Sequence, residues 1–136
     1  MMKPLKEGIR LQVTTKSDAE YLYRLMEATM REYVESVWGR WNEAEARRFT
    51  REAAASGAFS LIYLETHCVG AINVEEHPAY IQLEQLYIEP QYQRQGIGTY
   101  LMRDLMARST RESRPVRLRV LKPNPAVNTI KDWALG

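Results

Sequence analysis

Residues 81–101 read Ile-Gln-Leu-Glu-Gln-Leu-Tyr-Ile-Glu-Pro-Gln-Tyr-Gln-Arg-Gln-Gly-Ile-Gly-Thr-Tyr-Leu: an apolar strand, a short polar loop, two glycines one residue apart, and the start of an amphipathic helix. The chemistry this pattern suits is anion binding. A loop that opens a helix presents backbone N–H groups with no partner inside the helix, and the helix dipole favours negative charge there. Gly96 and Gly98 lack the Cβ atoms that would hold a phosphate away from the backbone. A P-loop would end Gly-Lys-Ser/Thr, whereas Gly98 is followed by Thr99 and Tyr100. A dinucleotide fingerprint needs a third glycine and an acidic residue on the next strand, where this chain carries Val120-Leu121-Lys122. The basic residue there points to phosphate recognition and away from a ribose hydroxyl. Metal chemistry is poorly served, because Cys68 has only His67 and His77 near it in sequence and a structural zinc site takes four ligands.

The elements that must position this loop can be read from periodicity. Ile9 to Thr14 forms a first strand. Ser17-Asp18-Ala19-Glu20 has the form of a capping box, and Leu22, Leu25, Met26, Met30, Tyr33, Val34 and Val37 then recur at helical spacing until Gly39. Asn42-Glu43-Ala44-Glu45 repeats the cap signature, and a second helix runs to Ser56-Gly57. Phe59–Leu64 and Val69–Val74 read as a hairpin about Glu65-Thr66-His67, with a further turn at Glu75-Glu76-His77-Pro78. In the strand from Tyr80 to Glu89 the apolar residues are odd-numbered at Ile81 and Leu83 and even-numbered at Leu86 and Ile88. That slip of phase predicts one extra residue, a β-bulge, at Glu84-Gln85; a strand buried on both faces is the competing reading. A helix from Gly98 to about Arg111 and a strand from Val116 to Leu121, with Arg117 and Arg119 on one face, complete a β-α-β unit. The tail from Asn124 is weakly helical.

The 136 residues suit a single domain spanning 1–136. Charge is uneven: residues 1–92 hold ten Lys/Arg against fourteen Asp/Glu, while residues 93–122 hold eight against two. A basic segment that begins at the glycine loop suits a polyanionic ligand, with a solvated helix and strand face as the plainer reading. Without interleaved aromatics it does not read as a nucleic-acid surface. There is no apolar run of membrane-spanning length and no secretory signal, and one cysteine fits a reducing, cytoplasmic setting.

Gln93-Arg94-Gln95-Gly96-Ile97-Gly98, preceded by Leu86-Tyr87-Ile88-Glu89-Pro90, resembles the acetyl-CoA signature of the GNAT superfamily of N-acetyltransferases. The order of elements resembles that family from residue 9 to residue 130. The resemblance implies an α/β fold with a mixed, mostly antiparallel sheet flanked by helices. It implies acetyl-CoA as acyl donor, with its pyrophosphate at Gln93, Arg94, Gln95, Gly96, Ile97, Gly98 and Thr99. Leu86, Tyr87 and Ile88 would pair with the pantetheine arm, and Asn124 would contact the cofactor. Arg94 and Lys122 are candidates for the 3′-phosphate. Glu84, at the bulge, would be the general base for a primary amine of a small molecule or peptide, with Glu75, Glu76 and His77 as alternatives. A backbone N–H near Ile88 would stabilise the oxyanion. Trp38 and Trp41 would line the acceptor pocket, or else only anchor the helices on the sheet.

The chain departs from the family pattern after Asn128. Ile130 stands where a tyrosine often serves as general acid, and Ala134-Leu135 replace a Gly-Phe pair. On this reading the last two strands of the family fold are missing and the strand at Val116–Leu121 becomes an exposed edge, covered by formation of a homodimer. The rival expectation is a truncated, non-enzymatic remnant that binds coenzyme A without turnover.

Overall fold

In the computed structural model, which describes residues 4–6 and 8–118, the described residues form one six-stranded sheet in chain order. The strands are β1 (Pro4–Lys6), β2 (Ile9–Val13), β3 (Ser60–Leu64), β4 (His67–Glu76), β5 (Ile81–Ile88) and β6 (Val116–Leu118). Neighbours from β1 to β5 are antiparallel, and β5 and β6 are parallel, with Ile81 opposite Val116 and Leu83 opposite Leu118. The mixed, mostly antiparallel α/β sheet expected from the sequence is therefore present. Helices α1 (Ala19–Trp38) and α2 (Glu43–Ser56) follow β2, and α3 (Ile97–Glu112) is the crossover between β5 and β6. Asn124, Lys122 and the expectations placed on the tail lie outside the described residues.

The helices cover opposite faces of the sheet. Ile62, Ile72, Ile81, Leu83, Leu86 and Ile88 pack with Leu101, Met102 and Leu105 of α3. Leu61, Ala71 and Tyr87 pack with Leu22, Leu25, Met26 and Met30 of α1 and with Ala53 and Ala54 of α2. Leu61 and Ile62, adjacent in β3, thus enter different cores, which is why that strand reads as a continuous apolar run.

Local signals account for the helix ends, with two corrections. The first cap lies two residues earlier than Ser17/Glu20: Thr15 N–H donates to Asp18 Oδ2 at 2.9 Å and a 3-10 turn at Lys16–Asp18 leads into α1. Glu20 instead pairs with Arg24 and Arg47. Asn42 caps α2 as expected, its Oδ1 accepting from Glu45 N–H at 3.1 Å. Gly39 and Gly57 end α1 and α2 with φ of +88° and +74°. The second correction is that β4 extends through Glu76, so Glu75 and Glu76 are strand residues and the turn begins at His77. The short strand β1 has too few residues to show an alternating pattern and was not expected. Among the described residues no helix is long and apolar enough to cross a membrane.

Candidate active site

The bulge is where the slip of phase places it. Across β4 and β5, Asn73 faces Gln85 and Val74 faces Leu83, so Glu84 is the extra residue with no partner opposite. Its insertion lets Ile81, Leu83, Leu86 and Ile88 share one apolar cluster beneath α3 despite their change from odd to even numbering. Tyr87 turns to the other face and stacks on Phe59, with ring centroids 5.9 Å apart. Glu84 is half-buried and its carboxylate accepts a hydrogen bond from the Gln82 side-chain amide. Beside it, buried Asn73 donates to Gln85 Oε1 at 2.8 Å.

Backbone direction at the end of β5 is set by one bond. Glu89 N–H donates to Val69 O at 2.8 Å, on the β4 side. Backbone groups alternate in direction along a strand, so the N–H and C=O of Ile88 point to the opposite edge. There the Gln93 side-chain amide donates to Ile88 O at 2.8 Å, tying the loop back to the strand. Gly70, opposite Ile88, holds the close strand spacing: a Cβ there would lie 2.2 Å from Tyr87 O.

A 3-10 turn at Pro90–Tyr92 leads from β5 into the glycine loop. Arg94 and Gly96 both have left-handed backbone, with φ of +65° and +89°. Such turns gather successive N–H groups into a concave anion cradle. Gly96 is the N-cap of α3, and no side chain caps the helix. Tyr100 N–H bonds Gly96 O at 2.9 Å, so the N–H groups of Ile97, Gly98 and Thr99 precede the first helical bond and have no partner within α3. A Cβ built on Gly96 meets nothing within 4 Å, so the space over the loop is open. Arg94 is exposed beside it, while the Gln95 amide is spent on Gln91 O at 3.0 Å. The helix begins at Ile97, one residue before the expected Gly98. A pyrophosphate fits this donor set: uncapped N–H groups, a positive helix end and no side chain filling the hollow.

The alternative bases lie elsewhere. Glu76 pairs with Ile81, at the far end of β5 from the loop, roughly 20 Å from Ile88 at about 3.3 Å per residue. It is held there by Arg108 at 2.8 Å and Arg114 at 2.9 Å, and Glu75 is paired with His77 at 3.1 Å. Of the carboxylates proposed from sequence, Glu84 is the one the fold brings into the stretch of β5 next to Leu86, Tyr87 and Ile88.

Trp38 and Trp41 differ in how they are held. Trp41 is an anchor: its indole N–H donates to Tyr23 Oη at 3.0 Å, and the rings are 6.4 Å apart. Trp38 lies edge-on to Tyr33 and is 62% exposed. Both line a pocket of about 490 Å³ between α1 and α2, whose walls also include Met26, Met30, Phe49 and Tyr87. Tyr21, not singled out from sequence, donates to Glu89 Oε2 at 2.5 Å and so pins the end of β5 to α1. Burial first, and then hydrogen bonding with the Cys68 side chain and with Glu89, push the Tyr21 phenol far above its ordinary range, so it is a fixed donor. Nothing in the local sequence marks that pairing, because the partners are 68 residues apart.

The model of the acetyltransferase (GNAT) family matches residues 21–129. Among curated proteins no sequence matches. Solved structures with the same fold include a protein of Pyrococcus horikoshii (16% identity, TM-score 0.61), where the match covers 94% of this chain but 43% of that one. A ribosomal-protein-alanine N-acetyltransferase of Brucella melitensis aligns at 14% identity and TM-score 0.64, over 93% of this chain and 90% of that one. PaiA N-acetyltransferase of Thermoplasma acidophilum, solved in complex with coenzyme A, aligns at 17% identity and TM-score 0.62, over 94% and 88%.

Proposed function

The chain belongs to the acetyltransferase (GNAT) family, and on that premise we propose that it transfers an acetyl group from acetyl-CoA to a primary amine of a small molecule or peptide. The observation that carries this reading is the uncapped, left-handed loop at Arg94–Gly96, set at the end of a strand bulged at Glu84. When bound, acetyl-CoA would supply the thioester carbon that the amine attacks: the C–N bond forms, the C–S bond breaks, coenzyme A leaves as its thiolate, and the second proton lost by the nitrogen passes to that thiolate or to water.

The chain's own groups have separable tasks. The N–H groups of Ile97, Gly98 and Thr99, with the loop backbone from Gln93 to Gly96, receive the pyrophosphate oxygens, and the exposed Arg94 adds positive charge. The backbone N–H and C=O of Ile88 point away from β4 and, with the backbone of Leu86, are assigned to the pantetheine amides. The Ile88 N–H donates toward the negative charge that develops on the carbonyl oxygen. Gln93 is a positioning residue, since its amide holds Ile88 O. Glu84 takes the ammonium proton of the acceptor, directly or through a water, and leaves the neutral amine that can attack.

Thiol release measured over a panel of amines tests the assignment. Glu84→Gln keeps the shape and one oxygen to accept from Gln82 but cannot take up a proton, and it is expected to lower kcat by about 10²-fold or more near neutral pH, with acetyl-CoA affinity unchanged. A variant as active as the parent would remove Glu84 from the base role. Binding of acetyl-CoA with no thiol release on any amine would favour the non-enzymatic alternative.

A further inference from the structure

We infer that the α1–α2 pocket receives an aromatic or bulky apolar group borne by the acceptor amine, an inference that rests on the acetyltransferase reading above. The pocket's volume, about 490 Å³, suits a small molecule or one side chain. Its walls are apolar and soft: Met26 and Met30 from α1, Ala46 and Phe49 from α2, and the Trp38 ring at the rim. Thioethers and aromatic rings favour contact with another ring. Trp38 and Phe49 are large apolar side chains left 62% and 38% exposed at this pocket, although the same helices bury Leu22 and Ala54 completely.

Charge argues against a polycation. The charged side chains lining the pocket are Arg40 and Glu45, one of each sign. A polyamine would need several carboxylates along its length and would meet a guanidinium here.

Tyr87 supplies the second, independent observation. It is 6% exposed, lines the pocket from the sheet, and among the described residues has no hydrogen-bond partner for its hydroxyl. Among the described residues no fully enclosed side-chain polar atom lacks a partner, so this hydroxyl keeps its small share of exposed surface. A buried phenol without a partner offers an entering group one polar contact at the inner end of an apolar slot. Tyr87 also lies between Leu86 and Ile88, the two residues whose backbone is assigned to the acyl donor. An apolar group seated against Tyr87 would therefore place its amine at the reacting end of the site.

Calorimetry in the presence of saturating coenzyme A tests this with 2-phenylethylamine, n-butylamine, spermidine, and two short peptides that begin with Phe and with Ser. At least one aromatic probe is expected to bind about tenfold or more tighter than its non-aromatic counterpart, a difference of about 1.4 kcal/mol. The tighter of the two aromatic probes identifies a free amine or a peptide terminus as the source. Trp38→Ala, at an exposed position, is expected to abolish that preference while leaving coenzyme A affinity intact. Equal affinities, or spermidine as the tightest ligand, would overturn the inference alone. Failure of coenzyme A itself to bind would overturn the reading beneath it, and the inference with it.

Discussion

At the residue scale, two glycines do work that no other residue can, for different reasons. Gly96 has open space where a Cβ would stand but a φ of +89°, so its constraint is conformational, and any side chain there would project into the anion hollow. Gly96→Ala is expected to cost about 1 kcal/mol of stability and to weaken acetyl-CoA binding about tenfold or more, read by calorimetry and thermal melting together. A variant that binds as tightly as the parent would contradict the loop assignment. Gly70 is constrained by contact, because its Cβ would meet Tyr87 O at 2.2 Å. Gly70→Ala is expected to destabilise by about 2 kcal/mol or more as β4 and β5 are forced apart, checked by urea denaturation. Gly96 could be recognised in the sequence because it stands in a motif with a strand before it and a helix after it. Gly70 could not, since its reason lies in a strand read separately, nor could Tyr21, whose partner Glu89 is distant in sequence.

At the element scale, the bulge in β5 was legible because a strand has period two. Four apolar residues, Ile81, Leu83, Leu86 and Ile88, can face α3 together only if one residue is inserted between them. The cap of α1 misled for an equally physical reason. Thr15, Ser17, Asp18 and Glu20 offer overlapping cap patterns, and the choice went to Thr15–Asp18 because a 3-10 turn precedes the helix. The remote end of α3 is fastened by charge. Arg108 and Arg114 reach Glu76 at the end of β4, and Arg114 also pairs with Glu112. Burial alone would raise the Glu76 carboxyl, but the two guanidinium groups outweigh it and hold it below its ordinary range; the Arg114 bond does the same for Glu112. Folded values below the unfolded ones mean that this contribution is complete above the ordinary carboxylate range, about pH 4.3, and is lost as pH falls through the depressed values. The melting temperature is thus expected to fall between about pH 5 and pH 3, and to fall less in Glu76→Gln. Equal acid sensitivity in the two proteins would show that the clasp contributes nothing measurable.

At the scale of the whole molecule, one sheet with helices on both faces separates two tasks. The α3 side carries the glycine loop and the helix end that suits phosphate, while the α1–α2 side carries Glu84's neighbours Asn73 and Gln85, the side chain of Tyr87, and the pocket. Strand β5 serves both, with alternate residues committed to each side. This explains why the loop proposed for the cofactor could be read from a contiguous stretch of sequence, whereas of the pocket proposed for the acceptor only Trp38 and Trp41 were expected. Met26, Met30, Phe49 and Tyr87 come from three elements, and each alone looks like an ordinary core residue. On the function proposed above, acetyl-CoA binds along the end of β5 with its pyrophosphate on the loop that opens α3. The most direct test is to titrate the isotopically labelled chain with acetyl-CoA and follow the backbone amide resonances. The largest shifts are predicted at Ile88 and at Arg94 to Thr99, saturating at one acetyl-CoA per chain; absence of binding, or shifts confined to residues away from β5 and this loop, would contradict the account.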